Sequence, residues 1–240
     1  DPEFDIERRP KSPDYILPSL VGYYEEYRSE WKTDPVIATE LHGMVPIGED
    51  EDGNERMMTY RMDAIRRNEL DQLYVQEHKT GGQAGATWYD QWELAIQPLV
   101  YHHAARFNYP SEQHFGVVIN GIIAAKRATV TLDTIKFHRV NVRFNNNSML
   151  EGLELLNYYY GELEKDMLAV QDLHPSDDKM TCFPKNPNAC TDYNTTCKFH
   201  GLCTTVRNPL RAEQRNHAPI GMKIERWNPL EEATNEVTEG

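Results

Sequence analysis

The sequence has no cysteine in its first 181 residues, little positive charge and no long apolar run. Its longest apolar stretch, Phe115 to Ala125, is interrupted by Asn120 and two glycines. A membrane-spanning helix needs about 20 consecutive apolar residues, so no membrane span is expected. No secretory signal is visible at the start of the chain. These absences argue against a membrane partner and favour a soluble, globular protein.

The shortage of positive charge bears on nucleic-acid binding. A formal net charge of −13 opposes non-specific association with a polyanion, because the two negatively charged molecules repel each other at long range. It does not exclude a nuclease, since acidic residues can gather at a metal site while a local basic strip follows the phosphates. A candidate strip comprises Lys136, His138, Arg139 and Arg143. A solvated strand face explains the same residues equally well.

The length of 240 residues fits one large domain or a core with an appendage. The chain starts at Asp1 without a methionine, so we expect a fragment that lacks a native N-terminal segment. Composition divides it into a flexible lead-in (1–17), a core (18–173), a cysteine-rich module (174–210) and a polar C-terminal tail (211–240).

Hydrophobic periodicity predicts the element order α-β-β-β-α-β-β-α. The predicted elements are Ser19–Trp31, Val36–Ile47, Arg56–Arg66, Leu73–Lys79, Trp88–Phe107, Phe115–Ile123, Thr134–Phe144 and Leu150–Asp172. Short turns between the first three strands predict an antiparallel meander. Pro98 should kink the second helix or leave an unpaired carbonyl one turn back. The order indicates an α/β fold with a mixed central β-sheet flanked by helices, followed by the cysteine-rich module.

Charged residues on the second and third predicted strands form the main candidate site. Glu77 and Lys79 point to the same face of their strand, because side chains alternate with a period of two. Asp63 on the preceding strand would lie beside Glu77 if the two strands pair. Glu40 on the first strand could add a third carboxylate. Taken singly, each residue is more simply a surface charge at a strand end.

Clustered carboxylates need a compensating charge. Two like charges 4 Å apart repel by about 4 kcal/mol at an effective dielectric of 20. A divalent cation removes this repulsion, and hard oxygen ligands suit Mg²⁺ or Mn²⁺. His78 lies between Glu77 and Lys79 and should pack on the opposite face of the sheet.

The motifs together resemble a known family. Glu77-x-Lys79 after an apolar strand, with Asp63 upstream, resembles the PD-(D/E)xK nuclease superfamily. Gln97-x-x-x-Tyr101 on the next helix is similar to a motif of its RecB-like branch, which includes phage exonucleases and CRISPR adaptation nucleases. The resemblance is strongest over residues 36–125, where the motifs follow the family order. It implies a restriction-endonuclease-like core.

The resemblance also implies a role for each residue. The metal ligands would be Asp63, Glu77, the backbone carbonyl of His78 and, directly or through water, Glu40. Lys79 would be the catalytic lysine, and Gln97 and Tyr101 would position the nucleic acid. RecB-like members often carry a further metal-binding histidine on an N-terminal helix, but no histidine precedes His42 here.

The four cysteines indicate a second candidate site. Cys182, Cys190, Cys197 and Cys203 are separated by seven, six and five residues. No Cys-x2-Cys pair is present, so a tight zinc knuckle is not indicated. Some RecB-like nucleases hold a [4Fe–4S] cluster with one cysteine before the core and three after it, whereas here all four follow it. A [4Fe–4S] cluster, a Zn²⁺ site and disulfides remain the alternatives, with metal favoured over disulfide and iron–sulfur over zinc.

These observations predict a Mg²⁺- or Mn²⁺-dependent deoxyribonuclease that acts as an exonuclease on single-stranded DNA or DNA ends. Such an enzyme would be cytoplasmic, and its organisation is similar to that of phage-borne relatives. One alternative is a catalytically silent nucleic-acid-binding or assembly module with a structural metal site. Another is a structural metalloprotein whose cysteine module binds a partner.

Overall fold

The computed structural model describes residues 13–85, 87–124, 134–174, 176–177, 180–194, 196–208 and 223. The chain divides into two compact units, and within the described residues their boundary falls between Glu154 and Leu155. The first unit contains the β-sheet and the candidate nuclease motifs. The second contains the cysteine-rich region. Apart from Lys223, the predicted tail (211–240) lies outside the described residues.

Five strands form one sheet in the order β1-β2-β3-β4-β5. They are β1 (Val36–Glu49), β2 (Glu55–Arg67), β3 (Leu73–Gly81), β4 (His114–Ala124) and β5 (Ile135–Val142). The first three pair antiparallel, which is the predicted meander. Strand β3 pairs parallel with β4, and β4 pairs antiparallel with β5. The predicted α/β class with a mixed sheet is therefore confirmed.

Helices cover both faces of this sheet. In the first unit they are α1 (Pro13–Tyr27), α2 (Glu30–Thr33), α3 (Thr87–Asp90), α4 (Ile96–Asn108) and the start of α5 (Asn146–Gln171). Gln76 and His78 of β3 reach Tyr23 of α1, whereas Glu77 and Lys79 reach Gln97 of α4. Because successive residues of a strand point to opposite faces, α1 and α4 lie on opposite sides of the sheet.

The centre of the sheet is apolar on the face that α4 covers. Ile65, Val75, Val117 and Ile119 are fully buried. Near-continuous apolar sequence is typical of strands covered by helices on both sides. Each such side chain contributes about 1.5–3 kcal/mol relative to leaving it exposed. The polar residues within these strands therefore lie in surroundings where an unpaired donor or acceptor is costly.

The first helix starts earlier than its apolar spacing predicts. It begins at Pro13 and ends at Tyr27, instead of spanning Ser19–Trp31. The last five residues of the predicted flexible lead-in are therefore helical, and residues 1–12 lie outside the described residues. Tyr15, only 1% exposed, packs against Ala124 and Ile135 of the sheet. This contact is non-local, so the local sequence pattern does not reveal it.

The predicted kink at Pro98 is wrong. The segment predicted as one helix, Trp88–Phe107, forms two helices, and the second begins at Ile96. Pro98 is therefore the third residue of α4. The first N–H groups of a helix have no helical acceptor, so a proline in the first turn removes no hydrogen bond.

Candidate active site

The sheet opens into a fork at the predicted acidic pair. The ladder between β2 and β3 ends at Ala64 and Gln76. Beyond this pair, β2 continues beside β1 and β3 continues beside β4, so the two strands separate. The next positions in the register are Asp63 and Glu77. The predicted acidic residues are therefore the first pair inside the fork, where main-chain groups are released from the β2–β3 ladder.

The backbone is irregular on the β2 side of the fork. Glu40 of β1 has a positive φ of 50°, and neither Glu40 nor Asp63 is paired in the ladder between β1 and β2. Positive φ is uncommon for a residue other than glycine. Tyr60 contacts α4, whereas Arg66 lies on the α1 side, although both occupy even-numbered positions of β2. These two side chains depart from simple alternation, although the register of the β1–β2 ladder is the same on both sides of Asp63, with Thr39 opposite Ala64 and Leu41 opposite Met62.

Asp63 is held by its neighbour across the fork. The backbone N–H of His78 donates to Asp63 Oδ2 at 2.8 Å, and His78 Nδ1 lies 3.4 Å from the same oxygen. Burial favours the neutral acid, but the hydrogen bonds from His78 outweigh it and hold the pKa of Asp63 below its ordinary value. Within the part of the chain that the structure describes, Asp63 Oδ1 accepts no hydrogen bond.

Glu77 is more deeply buried and has an unpartnered oxygen. The residue is 5% exposed. Its Oε1 accepts hydrogen bonds from Lys79 Nζ at 2.7 Å and from Gln97 Nε2 at 3.1 Å. Its Oε2 is buried and has no partner among the described residues. Burial, and to a lesser extent the charge of Asp63, raise the pKa of Glu77 despite the hydrogen bond from Lys79.

The Gln97-x-x-x-Tyr101 motif joins α4 to both arms of the fork. Gln97 Oε1 accepts a hydrogen bond from Lys79 Nζ at 2.7 Å, and its Nε2 donates to the hydroxyl of Tyr101 at 2.9 Å. The Tyr101 hydroxyl in turn donates to the backbone carbonyl of Arg61 on β2. Burial raises the pKa of Tyr101 to about 12, so the hydroxyl keeps its proton near neutral pH. Lys79, Gln97 and Tyr101 therefore form one chain of hydrogen bonds across the fork.

His78 lies on the opposite face from Glu77 and Lys79, as predicted. Its Nε2 is 3.0 Å from the hydroxyl of Tyr23 and 3.0 Å from Gln76 Nε2. In a strand, the N–H and the C=O of one residue point to the same side. Because the N–H of His78 points to Asp63, its carbonyl also points toward β2.

Glu40 lies near the site, but another partner holds its carboxylate. It lines a cleft of about 500 Å³ together with Asp63 and His78. Its Oε2 lies 2.8 Å from Nε of Arg61, and its side chain is 60% exposed. A direct metal-ligand role for Glu40 would require this exposed ion pair to open.

The predicted basic strip of Lys136, His138, Arg139 and Arg143 does not form one surface. Arg139 donates to Glu30 at 2.5 Å and to Asn120 at 2.7 Å on the α1 side of the sheet. His138, the preceding residue on β5, contacts Tyr89 instead. Strand alternation separates the two side chains, so a contiguous phosphate-binding strip on β5 is not present.

In the second unit, the cysteine-rich region contains a 3₁₀-helix (Pro187–Asn194) and the short helix α6 (His200–Thr205). The four cysteines are free thiols, and of these Cys182 is buried. The backbone N–H of Cys197 donates to the carbonyl of Cys190 at 2.8 Å. This geometry does not confirm a metal-binding module, and the [4Fe–4S] or Zn²⁺ site on these cysteines stays a prediction.

Across the described residues, no group of three or more His, Cys, Asp or Glu side chains is arranged to hold a metal ion. The fork offers two carboxylates and a backbone carbonyl, which is a different kind of ligand set. Mg²⁺ commonly binds one or two carboxylates and completes its shell with waters and substrate phosphates.

Four residues around the site were not predicted from the sequence. They are Tyr23, Arg66, Gln76 and Asn120, all buried and joined by hydrogen bonds on the α1 side. The available signal was a polar residue inside an otherwise apolar strand, as at Gln76 and Asn120. Such a residue needs a partner, but the sequence does not show which helix supplies it.

Comparisons with known proteins add little. No family model matches the chain, and no curated protein matches it. Solved structures do match, among them one titled "Crystal structure of SSO0001", which is 18% identical with a TM-score of 0.33. The match covers 59% of this chain and 59% of that chain. Similarity at this level supports no conclusion about function. No helix among the described residues is long and apolar enough to cross a membrane.

Proposed function

We propose that this chain is a metal-dependent deoxyribonuclease with a PD-(D/E)xK core of the RecB-like type. It hydrolyses phosphodiester bonds in the cytoplasm, as an exonuclease on single-stranded DNA or DNA ends. The observation that carries the proposal is the pair of carboxylates in the fork. Each has one oxygen held by donors of the protein. The second oxygen of Glu77 is buried without a partner among the described residues, and Asp63, whose side chain is 39% exposed, keeps its Oδ1 open to solvent.

These residues fit Mg²⁺ or Mn²⁺. The unpartnered oxygens of Asp63 and Glu77, with the carbonyl of His78, are hard ligands of the kind these cations prefer. The buried Oε2 of Glu77 is unfavourable without a donor or a cation, because desolvation of a charged oxygen is costly. When bound, the cation would polarise a phosphoryl oxygen and lower the pKa of a coordinated water.

The side chains around the fork supply position and charge. Lys79 Nζ is held at 2.7 Å from both Glu77 Oε1 and Gln97 Oε1. Its ammonium group can orient the attacking water or neutralise charge that develops on the phosphate. Such preorganised charge lowers a barrier because no rearrangement is needed during the reaction. Gln97 and Tyr101 keep this geometry by tying α4 to β3 and to β2.

A second candidate is a catalytically silent nucleic-acid-binding or assembly module with a structural metal site. Two observations favour it: the net charge of −13 and the involvement of Arg139 in internal contacts. Without a contiguous basic strip on β5, binding of DNA must rely on other residues. Retention of Asp63, Glu77 and Lys79 together favours the enzyme instead.

A cleavage assay separates the two candidates. Labelled single-stranded, duplex and flapped DNA are incubated with Mn²⁺, with and without chelator, for the wild type, Glu77→Gln and Lys79→Ala. Lys165→Ala, which removes a lysine of α5 whose side chain is 74% exposed, is the matched control. We expect chelator-sensitive cleavage by the wild type and the control, and none by the two site variants.

The other outcomes are informative. DNA binding without cleavage of any substrate would favour the silent module. Cleavage that survives Glu77→Gln or Lys79→Ala, in protein whose far-UV circular dichroism matches that of the wild type, would refute the assignment of the site.

A further inference from the structure

A buried polar network lies directly behind the fork, on the α1 face. Arg66, Gln76, Asn120 and Tyr23 are between 0% and 8% exposed. The network ends at His78, whose Nδ1 lies 3.4 Å from Asp63 Oδ2. Its hydrogen bonds are numerous enough to determine where the proton of His78 lies.

The orientation of both amides follows from the guanidinium groups beside them. Arg66 Nη1 is 3.0 Å from Gln76 Oε1, and Arg139 Nε is 2.7 Å from Asn120 Oδ1. A guanidinium group only donates hydrogen bonds, so the amide atom that faces it must be the oxygen. The amide nitrogens of Gln76 and Asn120 therefore face the opposite way, toward Tyr23.

Tyr23 then has one possible role toward His78. Its hydroxyl oxygen accepts hydrogen bonds from Gln76 Nε2 at 2.7 Å and from Asn120 Nδ2 at 2.8 Å. A hydroxyl accepts two hydrogen bonds and donates one. The remaining neighbour is His78 Nε2 at 3.0 Å, so the hydroxyl must donate to it.

The same imidazole nitrogen faces a second donor. Gln76 Nε2 lies 3.0 Å from His78 Nε2. Two donors converging on one ring nitrogen leave no room for a proton on it. A neutral imidazole that accepts at Nε2 carries its proton on Nδ1. The Nδ1–H group is the one that faces Asp63.

Both donors of His78 therefore converge on one oxygen of Asp63. The backbone N–H is 2.8 Å from Oδ2, and Nδ1 lies 3.4 Å from it, which is longer than a regular hydrogen bond. With Oδ2 occupied in this way, Oδ1 is the oxygen left for a ligand. Arg66 anchors the network, because it also donates to the backbone carbonyls of Glu30 and Asp34 at 3.0 Å each.

We infer that His78 is a positioning residue of the fork: the network of Tyr23 and Gln76 holds it as the Nδ1–H tautomer, which directs Asp63 Oδ1 toward the cation. The inference rests on the proposed function, since it assigns a purpose to Asp63 Oδ1. It also distinguishes His78 from a histidine that only fills space, whose proton position would not affect cation binding.

The tautomer can be read directly in the metal-free protein. Long-range ¹H–¹⁵N correlation spectra distinguish a protonated ring nitrogen from a bare one. In the wild type at pH 7.5 we expect a protonated Nδ1 and a bare Nε2 for His78. Gln76→Glu replaces the amide donor with an acceptor of the same shape and keeps the contact to Arg66, so it should move a proton onto Nε2. A protonated Nε2 in the wild type would overturn the inference.

Binding of Mn²⁺, measured by calorimetry, tests the consequence for the site. Removing a group that orients a metal ligand typically weakens metal binding by about 10–100-fold, so His78→Phe, which removes the Nδ1–H donor and keeps the backbone N–H, should weaken Mn²⁺ binding at least about 10-fold. His103→Gln is the control, because His103 contacts the backbone carbonyl of Pro46 outside this network. Its affinity should equal that of the wild type.

The two possible failures are distinguishable. Unchanged Mn²⁺ affinity in His78→Phe, beside a wild type that binds Mn²⁺, would overturn the positioning role alone. A wild type that binds no Mn²⁺ would overturn the proposed function and, with it, the role of His78.

Discussion

The two faces of the sheet bury polar side chains in different ways. On the α1 face, Arg66 donates to two backbone carbonyls and to Gln76, and Asn120 bridges Tyr23 and Arg139. On the α4 face, Glu77 keeps an oxygen that is buried and without a partner among the described residues, and Glu30 beside Arg139 keeps one on the α1 face. The hydrogen-bonded network of Arg66, Gln76 and Asn120 stabilises one arrangement of the chain. The two unsatisfied oxygens differ in their neighbours, because Glu30 faces a guanidinium group, whereas the charge of a second carboxylate, Asp63, acts on Glu77.

The largest expected difference between the two faces is catalytic. Lys79→Met removes the ammonium group beside Glu77 and Gln97 while keeping most of the side-chain volume. We expect the rate of DNA cleavage to fall about 10²–10³-fold, the usual loss on removing one preorganised charged donor. Single-turnover cleavage with Mn²⁺ measures this. A loss below about tenfold would indicate that Lys79 is a structural partner of Glu77 only.

The second prediction concerns stability on the α1 face. Arg66→Met leaves the carbonyls of Glu30 and Asp34 and the Oε1 of Gln76 without their donor. We expect the free energy of unfolding to fall by about 3 kcal/mol, since buried acceptors lose charge-assisted hydrogen bonds.

Urea unfolding of Arg66→Met and Lys79→Met, followed by circular dichroism, compares the two faces. The Lys79 variant should lose much less stability than the Arg66 variant, because Lys79 is partly exposed. Equal losses would remove the distinction between a stabilising and a functional face.

The third prediction uses the cation. A ligand at 100 times its dissociation constant stabilises the folded state by about 2.7 kcal/mol. Adding saturating Mn²⁺ should therefore raise the melting temperature of the wild type. Glu77→Gln should show a much smaller increase, because a neutral amide is a poor replacement for the carboxylate ligand. An equal increase in both proteins would locate the stabilising cation elsewhere in the chain.

The smallest expected effects concern the free energy of unfolding, to which the charges of Glu77 and Asp63 contribute with opposite signs. Because the pKa of Glu77 is raised on folding, its contribution to stability is present below its unfolded pKa and is lost as the pH rises through the folded value. Because the pKa of Asp63 is lowered, its contribution is present above its unfolded pKa and is lost as the pH falls through the folded value.

At pH 7 without metal, Glu77→Gln should therefore raise the free energy of unfolding, because the charged carboxylate is no longer buried. Asp63→Asn should lower it by less, since solvent screens this partly exposed carboxylate. Thermal melts of the metal-free variants, with Glu49→Gln as the exposed control, measure both changes. Destabilisation by Glu77→Gln would show that the contact with Lys79 outweighs burial.

Much of the sheet could be predicted from local pattern. The predicted strands β1 to β4 lie within about two residues of those observed, because period-two alternation and short turns are local properties. The same alternation placed Glu77 and Lys79 on one face and His78 on the other. The helices were less predictable, since the start of α1 depends on contacts of Tyr15 with distant strands.

The candidate site, like the fold, could be predicted from the sequence only in part. The spacing of Glu77 and Lys79, and of Gln97 and Tyr101, indicated which side chains could act together. It did not indicate that β2 and β3 separate at Asp63, because the end of a ladder depends on what each strand pairs with on its other side. It also did not reveal the network of Tyr23, Gln76 and Asn120, whose members are 53 and 97 residues apart along the chain.

By itself, the sequence determined the class of the fold, the faces of the strands and the identity of the acidic pair, because these follow from the period of the side chains along each strand. Only the tertiary structure decided which oxygens are occupied by donors and which are left for a ligand. The reason is that hydrogen-bond partners of buried groups come from segments far apart in the chain, which meet when α1 and α4 close over opposite faces of the sheet.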